Sequence, residues 1–277
     1  MPFVSAIASA ESEGEILALL ILAVLQGLTE FLPVSSSGHL VIAKHFFGLR
    51  ESGGVVVEVA LHVGTLGAVL AVYGRDLVAL LREAMGGRPR YLLLLILGSV
   101  PAGLVGILAM DFLEGLFDEP RVAAGGLLVT SALLLVSDGE RRRRERNAPV
   151  PAELGRSVNT LDAVFIGCAQ ALAICPGVSR AGATIAAGLL RGLDAVAAAR
   201  FSFLLSLPAV GGAALLEARH LDSLPPGTAA PLAIAVVVSG LVGFLSLRLL
   251  LVALARGAFR WFALYCAILG GGLLILL

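Results

Sequence analysis

Residues 26–39 read Gln26-Gly27-Leu28-Thr29-Glu30-Phe31-Leu32-Pro33-Val34-Ser35-Ser36-Ser37-Gly38-His39, an apolar run broken by a helix stop, three serines and two ionisable groups. Gln26 and Glu30 are four apart and share one helix face. Pro33 ends that helix, and the serines occupy N-cap positions for the next. A second break of the same kind reads Pro176-Gly177-Val178-Ser179-Arg180-Ala181-Gly182-Ala183-Thr184. Each break opens a new helix N-terminus, where free N–H groups and the positive end of the dipole favour an anion. Arg180 adds a planar donor fork that matches phosphate oxygens, so the pair of breaks suits a diphosphate.

Everything around these breaks is written for lipid. The chain has 277 residues, 58% hydrophobic and 14% charged, with a mean hydropathy of +0.97, which places it in the membrane class. Formal net charge is zero, so no global field attracts nucleic acid, and no nucleic-acid partner is expected. The three cysteines, Cys168, Cys175 and Cys266, match no metal or redox spacing and read as small buried hydrophobes. No cleavable signal segment is expected at the N-terminus, which lacks a basic region.

About six stretches are long and apolar enough to cross a bilayer, near 55–73, 91–110, 121–137, 197–219, 229–254 and 259–277. The criterion is that roughly 20 helical residues span roughly 30 Å of hydrocarbon. Four shorter or more polar stretches, near 15–32, 38–48, 159–175 and 182–191, pair around the two breaks as re-entrant hairpins. Arginines at 75, 82, 88, 90, 141–144, 146, 156, 256 and 260 put three connections on the cytoplasmic side by the positive-inside rule. The acidic connection from Asp111 to Glu119 then lies outside, and the alternation closes without conflict.

At an offset of 144 residues Gln26 aligns with Gln170, Leu28 with Leu172, Val34 with Val178, Ser35 with Ser179, Gly38 with Gly182 and Ala43 with Ala187. The same offset superposes the three later spans of each half, in opposite orientations. The expected fold is therefore an all-α polytopic membrane protein with an inverted-topology repeat, its hairpins meeting near the bilayer midplane. It forms one domain, residues 1–277, with repeats at about 11–137 and 155–277 joined by a cytoplasmic Arg-rich loop, 138–154.

An ionisable residue at the bilayer centre costs about 2.5–3.5 kcal/mol on insertion scales. Glu30 and Arg180 therefore need a reason to be there. A structural ion pair is one; a binding site is the other, and the flanking serines, His39 and Thr184 favour it. Ser35 and Ser37 read first as caps. His45 and His62, with no evident polar partner in sequence, read as structural. Gly64, Gly67, Gly103, Gly106, Gly240 and Gly243 read as points of close helix approach, and they leave room for a homodimer.

At these motifs the sequence resembles the undecaprenyl-diphosphate phosphatase family, also called bacitracin-resistance proteins. The family carries an acidic helix running into PVSSxGH and a second PGxSRxGAT segment. ALHVGTLGAVLAVYGRDL at 60–77 and FSFLLSLPA at 201–209 extend the likeness over essentially the whole chain. The resemblance implies an inner-membrane hydrolase that converts undecaprenyl diphosphate to the monophosphate carrier lipid at a site open to the outer face. It also implies a divalent cation, Mg²⁺ or Ca²⁺, held near Glu30, with membrane lipids as surroundings. By motif position Glu30, Ser36, His39 and Arg180 are the implied catalytic residues. Gln26, Ser35, Ser37, Ser179 and Thr184 are the implied substrate-binding residues. Gln26 stands where many members carry glutamate, which weakens a two-carboxylate metal site. In the expected mechanism Ser36 attacks the terminal phosphorus or orients the attacking water, and His39 shuttles the proton. The competing readings are a transporter or flippase for an anionic lipid, since inverted repeats with broken helices also serve transport, and a membrane scaffold.

Overall fold

The computed structural model describes residues 2–48, 54–117, 119–147, 156–218 and 227–277. Among them are eleven helices and no strand: α1 (Pro2–Phe31), α2 (Ser36–Phe47), α3 (Gly54–Met85), α4 (Arg90–Leu108), α5 (Met110–Phe117), α6 (Pro120–Asn147), α7 (Thr160–Leu172), α8 (Arg180–Leu190), α9 (Ala195–Glu217), α10 (Ala229–Ala255) and α11 (Phe259–Leu276).

Seven helices are long and apolar enough to cross a membrane, against about six expected. The extra one is Gly14–Phe31 within α1. Gln26 and Glu30 do not interrupt that helix, because both are buried on one face while Leu17, Ile21 and Leu28 on the other are exposed to lipid. Two helices also outrun the expected spans. α3 continues to Met85 through the arginines assigned to a loop, and its 32 residues extend about 48 Å. α6 continues to Asn147, so residues 138–147 of the expected linker are helical and residues 148–154 lie outside the described residues.

The arginine run is tied down along that extension by contacts three and four residues apart. Arg141 and Arg142 reach Asp138 at 2.9 and 2.7 Å, and Arg143 and Arg144 reach Glu140 at 2.9 and 2.8 Å.

The core forms where small residues let backbones approach. A Cβ on Gly64 of α3 would lie 2.3 Å from the Val236 carbonyl of α10, and one on Gly240 would lie 2.8 Å from the Gly64 carbonyl. Gly243 packs on Phe31 and Thr65. Gly67, Gly103 and Gly106 differ from expectation, since each faces open space. Lipid supplies no hydrophobic drive between helices, so such close van der Waals contact and interhelical hydrogen bonds carry the packing. Ser239 donates to the Leu61 carbonyl at 2.9 Å and Ser246 to the Leu28 carbonyl at 2.7 Å. Large apolar side chains such as Ile107, Leu245 and Trp261 point outward. All three cysteines are free, and of the expected buried set only Cys266 is fully buried; Cys168 is exposed.

At the other end of α8, Asp162 closes the α7–α8 pair. Arg156 grips its carboxylate at 2.5 and 2.9 Å, Arg191 adds a contact at 2.9 Å, and Asn159 completes a capping box. Burial works against the charge, yet the Arg156 fork, the Asn159 N–H and Arg191 hold the carboxyl down at about 2.

Candidate active site

The two sequence breaks meet. A Cβ on Gly38 would lie 2.8 Å from the Gly177 Cα, and one on Gly182 would lie 3.3 Å from the Pro33 Cβ. Gly177 adopts φ +86° and packs into α6, where a Cβ would fall 2.0 Å from the Ala123 carbonyl oxygen. Only glycine fits there on both counts. Thr130 of α6 brackets this turn by donating to the Gly177 carbonyl at 2.9 Å and accepting from the Ser179 N–H at 2.8 Å.

Both new helices are capped as the serines foretold. Ser35 accepts from the Gly38 N–H at 3.2 Å and Ser179 from the Gly182 N–H at 3.0 Å. Ser37 lies 3.2 Å from the Ser35 hydroxyl. Ser35 sits at φ 69°, the one non-glycine with positive φ among the described residues. That conformation costs on the order of 1–3 kcal/mol and persists only where the surroundings over-determine it.

These turns converge on Glu30, which is buried. Arg180 Nη2 donates to its Oε1. On Oε2 it accepts from the Ser36 hydroxyl at 2.6 Å and the Gln26 amide at 3.0 Å. The distances are those of strong charge-assisted bonds. Two polar atoms beside this carboxylate stay buried and unpartnered: Arg180 Nη1 and Gln26 Oε1. Buried polar groups are ordinarily satisfied, so an unpartnered donor and an unpartnered acceptor on two residues that both hold Glu30 make this a candidate binding position.

Two expected members stand apart. His39 gives its ring to the Ser35 carbonyl, 2.7 Å from Nδ1, and to the Tyr265 hydroxyl, 2.6 Å from Nε2, stacking on Tyr265 at 4° between planes. Thr184 turns to α9: its hydroxyl donates to the Arg180 carbonyl at 2.7 Å and lies 2.5 Å from the Ser202 hydroxyl. Sequence reasoning passed over Thr130, which brackets the second break, and Tyr265, which holds His39; His62, read there as structural for want of a polar partner, places Nε2 3.5 Å from Glu30 Oε2. No local pattern announces that approach, because Glu30 lies on α1 and His62 on α3.

Among the described residues no group of three His, Cys, Asp or Glu converges on a cation site. The donors that do converge are oxygens, namely Glu30, the orphaned Gln26 Oε1 and the Ser36 hydroxyl. They fit a hard cation that draws its remaining ligands from water and phosphate.

A buried acid clasped by a serine and a guanidinium, with two broken helices opening on it inside a bundle of apolar helices, defines a polytopic membrane protein with a buried polar centre. The chain belongs to the family described as bacitracin resistance protein BacA, which matches residues 19–272. It is 36% identical over 261 residues to the undecaprenyl-diphosphatase of Carboxydothermus hydrogenoformans, covering 93% of this chain and 95% of that one. The undecaprenyl-diphosphatase of Halothermothrix orenii is 39% identical over 270 residues, covering 95% and 98%. That of Desulfosudis oleivorans is 42% identical over 274 residues, covering 91% and 94%.

Proposed function

We propose that this chain hydrolyses undecaprenyl diphosphate to undecaprenyl phosphate and inorganic phosphate, recycling the carrier lipid of peptidoglycan synthesis and conferring bacitracin resistance. The carrying observation is the buried Glu30 held between the Ser36 hydroxyl and Arg180, with Arg180 Nη1 unpartnered beside it.

Arg180 and the N–H groups opening α2 and α8 hold the diphosphate. Ser36 Oγ attacks the terminal phosphorus and passes its proton to Glu30 Oε2, the base already in hydrogen-bond reach. The bond from that phosphorus to the bridging oxygen breaks, undecaprenyl phosphate leaves, and water releases phosphate from the serine. In the direct version Ser36 orients the water instead. As water releases the phosphate in the covalent version, Glu30 returns its proton to Ser36 Oγ, and His39, one turn along α2 from Ser36 and hydrogen-bonded to Tyr265, takes the proton the water gives up. Gln26 orients Glu30, Ser35 and Ser179 cap the binding helices with Ser37 in support, and Thr184 fixes α8 on α9. Glu30 and Gln26 Oε1 would hold a divalent cation, Mg²⁺ or Ca²⁺, which would supply charge neutralisation at the phosphoryl oxygens.

In the same reading α1–α2 and α7–α8 are re-entrant hairpins of two inverted repeats, about 11–137 and 155–277. Helix packing supports this: α1 on α10 is mirrored by α7 on α4, and α3 on α10 by α9 on α4. The arginine-rich end of α6 faces the cytoplasm, the site opens to the outer face, and the protein resides in the inner membrane. Gly67, Gly103 and Gly106, facing outward on α3 and α4, offer close approach to a second copy in a homodimer.

The test is phosphate release from undecaprenyl diphosphate by purified, detergent-solubilised protein, with and without EDTA, beside Arg180→Ala and Glu30→Ala. Metal-dependent release that falls about 100-fold or more in both variants is expected. No release from folded wild-type protein would sink the hydrolase reading and call for a lipid-flipping assay.

A further inference from the structure

The buried acid has one side on which exposure rises. The Glu30 side chain is 6% exposed, whereas His62 of α3, whose Nε2 lies 3.5 Å away, is 27% exposed. Glu58 stands four residues before His62 and shares its helix face, one turn nearer the start of α3. On α2, Lys44 stands eight residues, about 12 Å, along the helix from Ser36. These two charges meet: Lys44 Nζ donates to Glu58 Oε1 at 2.5 Å, each side chain 26% exposed. The pair therefore ties together the helix that carries Ser36 and the helix that carries His62. In the orientation proposed above it lies on the outer side of the site, where the diphosphate has to enter.

The chemistry of the pair suits exchange. A lysine is a compact charge on a flexible stem, able to follow a moving anion, where a guanidinium fork fixes one in place. A single ion pair that is part-exposed contributes little to stability, so giving it up for another anion costs little. A diphosphate brings more negative charge than one carboxylate and displaces it.

We infer that Lys44 is the entry residue for the substrate head group: it leaves Glu58, takes a phosphate oxygen of the incoming diphosphate and delivers it inward to Arg180. Glu58 is the competitor that holds the lysine until the ligand arrives. The inference rests on the hydrolase reading. Standing about 12 Å along α2 from Ser36, Lys44 acts on capture and not on the reacting phosphorus.

Capture and a plain strap between α2 and α3 differ in sign. With undecaprenyl diphosphate as substrate, Lys44→Gln is expected to lower kcat/KM about 10-fold with kcat within about threefold, and to flatten its dependence on ionic strength. Lys44→Arg keeps the charge and is expected within about threefold of wild type. Glu58→Gln removes the competitor and is expected to raise kcat/KM about two- to fivefold. Parallel losses in Lys44→Gln and Glu58→Gln, or wild-type kcat/KM in Lys44→Gln, overturn the inference and leave the hydrolase intact. Should Lys44→Gln fold poorly, the sign of the Glu58→Gln change decides alone. Folded wild-type protein that releases no phosphate overturns the hydrolase reading first and the inference with it.

Discussion

At the scale of single residues, the Ser36 hydroxyl donates to Glu30 at 2.6 Å, a contact whose role is open to direct test. Ser36→Ala is expected to abolish nearly all release if the serine is the nucleophile, and no phosphoserine is then trapped on acid quench. Full activity in that variant removes the serine from the chemistry. Gln26→Glu places a second carboxylate four residues from the first, where repulsion without a cation opposes turnover and a cation relieves it. A steeper dependence on added Mg²⁺ or Ca²⁺ is expected, with half-activation several-fold lower in cation, and a metal titration reads it. Glu30, Ser36 and Arg180 were legible in sequence because an acid, a hydroxyl and a guanidinium inside apolar runs have few other reasons to exist. His62 and Tyr265 were not, because each lies in a regular helix and meets its partner only across the fold.

The break before α8 is a single element that tolerates no side chain at its apex. Gly177→Ala combines a left-handed backbone with a Cβ 2.0 Å from the Ala123 carbonyl, so a loss of about 2–6 kcal/mol is expected, read as a collapse of thermal stability in detergent. The Pro-Gly and Pro-Val signals announced both breaks in sequence. Helix ends were less legible: α3 and α6 outrun the expected spans because arginines are good helix formers, and those of α6 pair with acids along its surface, which a hydropathy reading assigns to loops. The far end of the α7–α8 pair carries its own test. The Asp162 carboxyl sits at about 2 in the folded protein against an ordinary 3.8, so its stabilisation is present above about pH 4 and fades as pH falls toward 2. Wild-type protein is expected to lose more thermal stability between pH 5 and pH 3 than Asp162→Asn, and equal slopes would remove Asp162 from the account.

For the whole molecule, what matters is that one site draws its acid and hydroxyl from the first half and its guanidinium from the second. Co-expression of residues 1–147 with residues 156–277 is expected to restore activity that neither piece has alone, since α1 packs on α10 and α6 on α11 across the divide. The repeat relation was legible because broken helices recur at one offset, whereas the pairing of particular helices depends on glycine and serine contacts that leave no periodic trace. The separation of 150 residues between Glu30 and Arg180 also sets a schedule for the ribosome. At about 5–20 residues per second the acid is made roughly 8–30 s before its cation. During that interval the growing chain carries a carboxyl whose guanidinium partner has not yet been made.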